Sequence, residues 1–149
     1  MEEKEAIRMK VEAGTIEELF EAAGKFEGSM RTLDAWIKET APHEKRQLYV
    51  ESSITMIGYG EMDRQGEEEA GGWPVIGVAP QKNNVSVYVS GTKDGKPIPA
   101  VYTKEVLGGV DNGKHCIRIR NFSKLNEDKM KEAIRAAFLW AEQERKTSG

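Results

Sequence analysis

The residues of this chain best suited to chemistry fall on two short segments that each have the pattern of a β-strand. Valines alternate with Ser86 and Tyr88 in one segment, and isoleucines alternate with Cys116 and Arg118 in the other. Because successive side chains of a strand point to opposite faces, the valines and isoleucines are expected to face a layer of helices. Tyr88, Cys116 and Arg118 then share the other side of the sheet, which we call the outer face.

The outer face is predicted to bind a small anionic or planar ligand. An arginine offers a fixed fork of donors, and a tyrosine offers a flat wall with a hydroxyl group. Tyr59 and Trp73 are expected at its rim, and Lys82 and Lys114 at strand ends would add positive charge. The predicted ligand-binding residues are therefore Tyr59, Trp73, Lys82, Tyr88, Lys114, Cys116 and Arg118. The alternative is a face that is simply solvated or is covered by a loop.

A second group of chemically capable residues lies near the start of the chain, where residues 1–30 hold eight acidic and four basic side chains. Glu17, Glu18 and Glu21 fall on the polar side of a predicted helix. Carboxylate oxygens are hard ligands that suit iron and other hard cations. These three residues are thus candidate metal ligands, with iron as the cofactor, and the alternative is a solvated helix face.

The sequence contains no constellation that predicts catalysis. Cys116 would need a histidine partner to act as a nucleophile. His115 is its neighbour along the strand and should point to the opposite face, and His43 lies in a loop. Cys116 is therefore also interpretable as a structural thiol. We expect the protein not to be an enzyme.

The composition is typical of one intracellular domain. The chain has 149 residues, one cysteine and a formal net charge of -3, and this length suits a single domain over residues 1–149. A mildly acidic chain is a poor match for nucleic acid. There is no apolar run long enough for a membrane span, and the acidic start lacks an apolar signal core. We therefore expect a cytoplasmic location and a small-molecule or protein partner, with neither nucleic acid nor membrane.

The hydrophobic periodicity predicts an α+β fold. Thr15 and Glu18 have the spacing of a capping box that begins the first helix. The further predicted elements are a helix over residues 29–40, strands over 54–59, 73–79, 85–89 and 114–120, a helix over 100–107 and a final helix. Residues 7–11 fit either a strand or a helix, and residues 60–72 form a long polar loop. An antiparallel sheet of about four to five strands, with helices packed on one face, would bury both apolar sets.

The second half of the chain resembles the YdhG-like family, over residues 53–140. Three segments carry the resemblance. The first is Ile57-Gly58-Tyr59-Gly60 followed by Trp73. The second is Ile76-Gly77-Val78-Ala79-Pro80-Gln81-Lys82-Asn83 with the strand after it. The third is Gly113-Lys114-His115-Cys116-Ile117-Arg118-Ile119, followed by Phe122-Ser123-Lys124-Leu125-Asn126 at the start of the last helix. The resemblance implies a small domain with an antiparallel sheet. In this chain, Arg118 stands where the family usually has an aromatic residue.

Most relatives in that family have no assigned activity. One branch resembles frataxin in shape and is regarded as an intracellular iron chaperone, which is proposed to supply iron–sulfur assembly and haem synthesis. The leading hypothesis is thus a non-enzymatic domain that binds a small ligand or a partner on the outer face. The alternatives are a frataxin-like iron chaperone acting through surface carboxylates and a protein-interaction module.

Overall fold

The fold is an antiparallel sheet with helices packed against it, as the periodicity predicted. The computed structural model describes residues 11–63 and 72–148. The helices are α1 (Ile16–Ala22), α2 (Glu27–Thr40), α3 (Ile98–Val101), α4 (Lys104–Leu107) and α5 (Glu127–Ser148). The strands are β1 (Arg46–Val50), β2 (Thr55–Tyr59), β3 (Met62–Asp63), β4 (Gly72–Trp73), β5 (Ile76–Pro80), β6 (Val85–Val89), β7 (Thr92–Lys93), β8 (Lys96–Pro97) and β9 (Cys116–Ile119). Two short 3-10 helices cover Gly24–Phe26 and Phe122–Lys124.

Five strands form the main sheet in the order β1-β2-β5-β6-β9, and every neighbouring pair is antiparallel. The order follows the chain, so the sheet is a meander. Two small ladders, β3-β4 and β7-β8, lie outside it. Short turns join β1 to β2 and β5 to β6, as antiparallel neighbours allow, whereas residues 60–75 and 90–115 make the two longer connections.

One face of the sheet forms the core together with the helices. Val78, Val87 and Ile117 lie side by side in the ladder, and all three are fully buried. They join a single cluster with the buried side chains of the helices, including Leu33 of α2 and Ile134 of α5. Burial of this apolar surface is the main stabilising contribution to the fold. The predicted orientation of the valines and isoleucines is therefore confirmed.

The first helix begins as its sequence predicts. The Thr15 hydroxyl accepts a hydrogen bond from the Glu18 main-chain N–H at 3.0 Å. The Glu18 carboxylate reaches back one residue further than in a standard capping box, to the N–H of Gly14 at 2.8 Å. Two otherwise unpaired donors at the start of α1 are thereby satisfied.

Several elements differ from their predicted bounds. The strand β1 was not predicted at all, and the predicted helix over 100–107 is two short helices separated at Tyr102 and Thr103, where the backbone is not helical. The predicted strand over 73–79 is broken near Pro74, so that Trp73 pairs with Met62 in a separate ladder. Residues 7–10 and 64–71 lie outside the described residues. No described helix combines the length and apolar character that crossing a membrane would require.

Candidate functional site

The strand register determines which side chains share the outer face. One row crosses all five strands and consists of Gln47, Gly58, Gly77, Tyr88 and Cys116. The adjacent row contains Tyr49 and Met56 on β1 and β2, and Ala79, Ser86 and Arg118 on β5, β6 and β9. Paired residues of a sheet point to the same side. Tyr88, Cys116 and Arg118 therefore lie together on the outer face.

The centre of the outer face is covered by its own side chains. The ring of Tyr49 lies over Gly58, and the Met56 sulfur would be 2.5 Å from a methyl group placed on Gly77. Met56 is consequently fully buried, although it takes no part in the helix-facing core. Gly58 and Gly77 have no side chains, so the side chains of Tyr49 and Met56 occupy the space above them. The part of the outer face formed by β1, β2 and β5 is therefore covered.

The other half of the outer face carries a polar network around Tyr88. The Ser86 hydroxyl lies 2.7 Å from Gln81 Oε1 and 2.9 Å from Asn84 Oδ1, and Ser86 is 1% exposed. Tyr88 itself is half-buried. Burial raises the pKa of Tyr88, so its hydroxyl, which is protonated at neutral pH in any case, keeps its proton to a higher pH.

Arg118 lies diagonally across from Tyr88, on the neighbouring strand β9. Its Nη1 donates to the main-chain oxygen of Asp111 at 3.2 Å. The same loop passes beneath it, since a methyl group placed on Gly113 would lie 2.9 Å from Arg118 Nη2 and 3.1 Å from Cys116 Sγ. Arg118 is half-buried, and Cys116 is 8% exposed. The main chain of residues 111–113 thus contacts the Arg118 guanidinium, and the nearly buried Cys116 thiol lies beside it.

Tyr59 does not belong to this site, contrary to its predicted place at the rim. It lies opposite Ile76, two residues from Ile57, and so points into the helix-facing core, where it is 2% exposed. Its hydroxyl donates to Asp34 Oδ1 at 2.7 Å. Strand alternation already placed Tyr59 on the side of Ile57, so the prediction was inconsistent with its own rule.

Asp34 of α2 connects that tyrosine to the edge strand β1. Arg46 donates to both Asp34 oxygens, from Nε at 2.9 Å and from Nη2 at 2.8 Å. Asp34 is 5% exposed, and its two oxygens accept three hydrogen bonds. Burial and the Asp34 carboxylate raise the pKa of Tyr59 well above its usual range. The Asp34, Arg46 and Tyr59 side chains satisfy one another's hydrogen bonds. They therefore connect α2 to the sheet and do not form a binding site.

The remaining predicted residues do not converge on one point. Trp73 lies in the β3-β4 ladder, outside the five-stranded sheet. Lys82 and Lys114 are both exposed, but they lie at opposite ends of β6. The length of that strand puts them about 13 Å or more apart. The structure therefore brings together Tyr88, Cys116 and Arg118, with each lysine on a different side of them.

The predicted metal ligands have other partners. Glu17 forms a short ion pair with Arg31, which also pairs with Glu27 at 2.9 Å. Glu18 caps the start of α1, and Glu21 is exposed. Across residues 11–63 and 72–148, no group of three or more histidine, cysteine, aspartate or glutamate side chains is arranged to hold a metal ion. The three glutamates are thus not assembled into a site.

Three clefts lie away from the outer face. One of about 560 Å³ lies between α2 and α5, and one of about 310 Å³ lies between α5 and the β7-β8 ladder. A third of about 290 Å³ lies beside Phe26 and Phe122, at the end of β9. None of these three includes Tyr88, Cys116 or Arg118, so each is distinct from the predicted site.

No family model, curated protein or solved structure matches the chain. The resemblance to the YdhG-like family therefore stays a prediction. The functional conclusion depends on the geometry of the outer face.

Residues of β1 are the members of the outer face that sequence reasoning missed. Gln47 ends the first row, and Tyr49 covers Gly58. The alternation of Leu48 and Val50 with these two polar or aromatic residues is a strand signal. The signal is weak, since the segment directly follows a turn and holds only two aliphatic side chains.

Proposed function

We propose that this chain is a non-catalytic binding domain that holds a small anionic ligand on the outer face, between Arg118 and Tyr88. The observation that supports the proposal is that Arg118 has a positive charge with no carboxylate partner among the described residues. The residue is half-buried as a whole, yet within the described residues its side chain contacts no carboxylate. A positive group held in this way is suited to an external anion.

The other described arginines show a contrast, apart from Arg135 of α5, which has no carboxylate partner among the described residues but is exposed rather than half-buried. Four of them pair with carboxylates: Arg31 with Glu17 and Glu27, Arg46 with Asp34, Arg120 with Asp111, and Arg145 with Glu44. Among the residues that the structure describes, Arg118 donates one side-chain hydrogen bond, toward the main-chain oxygen of Asp111. The rest of its donor fork is available, and that fork matches a carboxylate or a phosphate group with two parallel hydrogen bonds.

Tyr88 supplies the second half of the proposed site. Its ring lies one strand away from Arg118 on the same face and is half-buried, so it offers a planar surface beside the guanidinium. Its hydroxyl already has hydrogen-bond contacts with Ser86 and Gln81, so the ring is the part of Tyr88 that we assign to the ligand. A planar carboxylate therefore fits better than a spherical anion, because it uses both the donor fork and the ring.

Two wider expectations accompany this proposal. The YdhG-like resemblance is consistent with a binding domain that has no assigned activity, and a cytoplasmic location agrees with the single cysteine. The iron-chaperone alternative has no comparable support, because Glu17 and Glu18 are engaged elsewhere. We therefore place the ligand at Arg118.

The proposal is tested by NMR titration of the ¹⁵N-labelled protein with benzoate and, separately, with inorganic phosphate. Saturable shifts are expected at the amides around Tyr88 and Arg118, with tighter binding of benzoate. Arg118→Gln should weaken binding at least about tenfold, because it removes a charge-assisted donor pair. Arg135→Gln is the matched control, since Arg135 is exposed on α5 in the helical layer, away from the outer face, and it should leave binding within about twofold.

Two results would overturn the proposal. One is the absence of saturable shifts around Arg118 with either anion. The other is equal benzoate affinity in the native protein and in Arg118→Gln, with the variant shown to be folded by its amide spectrum. Shifts centred on the cleft beside Phe122 would place the anion elsewhere and would equally reject the site.

A further inference from the structure

The outer edge of β1 carries main-chain groups that no described strand pairs with. β1 ends the sheet on one side, with β2 as its only neighbour. Gly60 N donates to Lys45 O at 2.6 Å, and Glu51 N donates to Ile54 O at 2.8 Å. In an antiparallel ladder such bonded pairs recur at every second residue. The main-chain groups of Arg46, Leu48 and Val50 therefore point away from β2.

The opposite edge of the sheet is protected, which makes β1 the exception. The segment after α4 runs along β9, where Asp111 N donates to Arg118 O at 2.8 Å and Gly113 N donates to Cys116 O at 2.9 Å. Val110 forms a further bridge to Ile119. Proteins commonly shield an edge strand with such a segment, a proline or an inward-pointing charge. β1 has no proline. Its one charged residue, Arg46, does point inward, but Asp34 neutralises that charge within the fold.

We propose that β1 pairs with the β1 of a second copy of this chain, antiparallel about a two-fold axis at Leu48. Leu48 then lies opposite Leu48 of the second copy, and Arg46 lies opposite its Val50. Arg46, Leu48 and Val50 are the residues whose N–H and C=O groups point outward. With the axis at Leu48, each N–H of these residues faces a C=O of the second copy. This register forms six main-chain hydrogen bonds between the two copies. If the axis passed through any other residue of β1, the two strands would overlap less and fewer hydrogen bonds would form.

The side chains at the ends of β1 agree with this register. Lys45 of one copy lies opposite Glu51 of the other, and both side chains are exposed. Within its own copy Lys45 pairs with Glu61 at 3.0 Å, so in the dimer it shares or exchanges that partner. Two such opposite-charge pairs form, one at each end, and cross-strand pairs of this kind stabilise a sheet. Val50, which is 55% exposed, gains cover from the aliphatic part of Arg46 in the second copy. A surface that complements itself in this way is the requirement for a two-fold dimer.

The resulting assembly would be a continuous ten-stranded sheet. An axis perpendicular to the sheet keeps the helices of both copies on one side and both outer faces on the other. Arg118 lies on β9, at the far edge of the sheet from the axis. Dimer formation is thus independent of anion binding at Arg118, and either proposal can fail without the other.

Sedimentation equilibrium over micromolar to millimolar concentrations tests the dimer. Glu51→Lys should weaken association by about two- to thirtyfold, because it places like charges opposite one another at both ends. Lys45→Glu should do the same, and Glu61→Gln, which removes only the pair that Lys45 makes within its own copy, should not. The double variant restores opposite charges at both ends, so its dissociation constant should return to within about threefold of the native value. Val50→Pro removes an outward N–H at an edge position and should abolish the dimer.

The controls distinguish pairing through β1 from association through another surface of the protein. Leu139 of α5 is 58% exposed and is the matched apolar residue outside β1, so Leu139→Asn should leave association unchanged. A native protein that is monomeric throughout the range would overturn the proposal. So would a dimer that Leu139→Asn dissociates, or one in which the double charge variant shows no recovery. The charge series keeps the test decisive if Val50→Pro does not fold.

Discussion

The ring of Tyr49 lies across Gly58 on the outer face of the sheet, between two neighbouring strands. Pro74 approaches the same glycine, since a methyl group placed there would lie 2.9 Å from Pro74 Cβ. Gly58 is therefore required by close packing and not by its backbone angles. An aromatic ring over a strand glycine also compensates for the side chain that the glycine lacks. The same contact fills the middle of the outer face and confines the open part to the side of Tyr88.

Gly58→Ala should lower the free energy of unfolding by about 1–3 kcal/mol, because the added methyl group overlaps the Tyr49 ring. Urea unfolding followed by circular dichroism measures this loss. Gly28→Ala is the control, as no atom lies within 4 Å of a methyl group placed on Gly28 in α2. That substitution should be neutral or should stabilise by up to about 1 kcal/mol. Equal losses in both variants would contradict the packing explanation.

Tyr49→Phe should not destabilise the protein, although Tyr49 lies at the centre of this contact. The Tyr49 hydroxyl is buried and has no hydrogen-bond partner in the described part of the chain. An unpaired buried hydroxyl costs free energy, so its removal should be neutral or should stabilise by up to about 2 kcal/mol. Tyr59→Phe is the matched control, because its hydroxyl donates to Asp34. Urea unfolding should show a loss for Tyr59→Phe and none for Tyr49→Phe; the reverse order would contradict the hydrogen-bond assignments.

The two faces of the sheet could be predicted because the alternation of apolar and polar residues along a strand depends only on neighbouring positions. The strand β6 alternates Val85, Val87 and Val89 with Ser86 and Tyr88, and this alone separates its two faces. The bounds of β6 and the start of α1 at Thr15 were predicted correctly for the same reason, since each depends on residues within a few positions.

The site itself was less predictable because it depends on contacts between distant segments. Tyr49 covers Gly58 only through the β1-β2 register, and β1 was not recognised. The availability of Arg118 depends on where every acidic side chain lies, and Asp111 is drawn to Arg120 instead. Glu17 appeared free in the sequence, but folding brings Arg31 next to it from fourteen residues away. Such pairings are not encoded in spacing along the chain.

Asp34→Ala should be strongly destabilising, because it removes the acceptor for both Arg46 and Tyr59. An uncompensated guanidinium near the core and an unpaired hydroxyl remain, and we expect a loss of about 3 kcal/mol in the free energy of unfolding. Asp111→Ala breaks an exposed pair with Arg120 and should cost less than about 1 kcal/mol. Thermal or urea unfolding of the two variants gives the comparison. Similar losses would show that burial of Asp34 contributes little.

The carboxylates of α1 are expected not to form an iron site. A variant with Glu17→Gln, Glu18→Gln and Glu21→Gln should bind Fe(II) as the native protein does, because Glu17 and Glu18 serve an ion pair and a helix cap. Glutamine at position 18 can still accept from the Gly14 N–H, so the variant should remain folded. Anaerobic isothermal titration measures the binding. A heat signal that is present in the native protein and lost in the variant would restore the iron-chaperone alternative.

The pH dependence of stability should show the raised pKa of Tyr59. Below about pH 10 the tyrosine is protonated in both the folded and the unfolded chain and contributes no pH dependence. Above that pH the unfolded chain loses the proton while the folded chain retains it, because burial and Asp34 disfavour the charged form. Stability should therefore fall as the pH rises, with a slope of up to about 1.4 kcal/mol per pH unit from this group.

Urea unfolding at intervals between about pH 9 and about pH 12 measures this slope. Tyr59→Phe removes the titrating group, so its stability should fall less steeply than that of the native protein over the same interval. Tyr88→Phe is the control, since Tyr88 is only half-buried and its pKa is raised by burial without a hydrogen-bonded carboxylate. It should change the slope less than Tyr59→Phe does. If the native protein and Tyr59→Phe lose stability in parallel, the Tyr59 hydroxyl is not held protonated by the core.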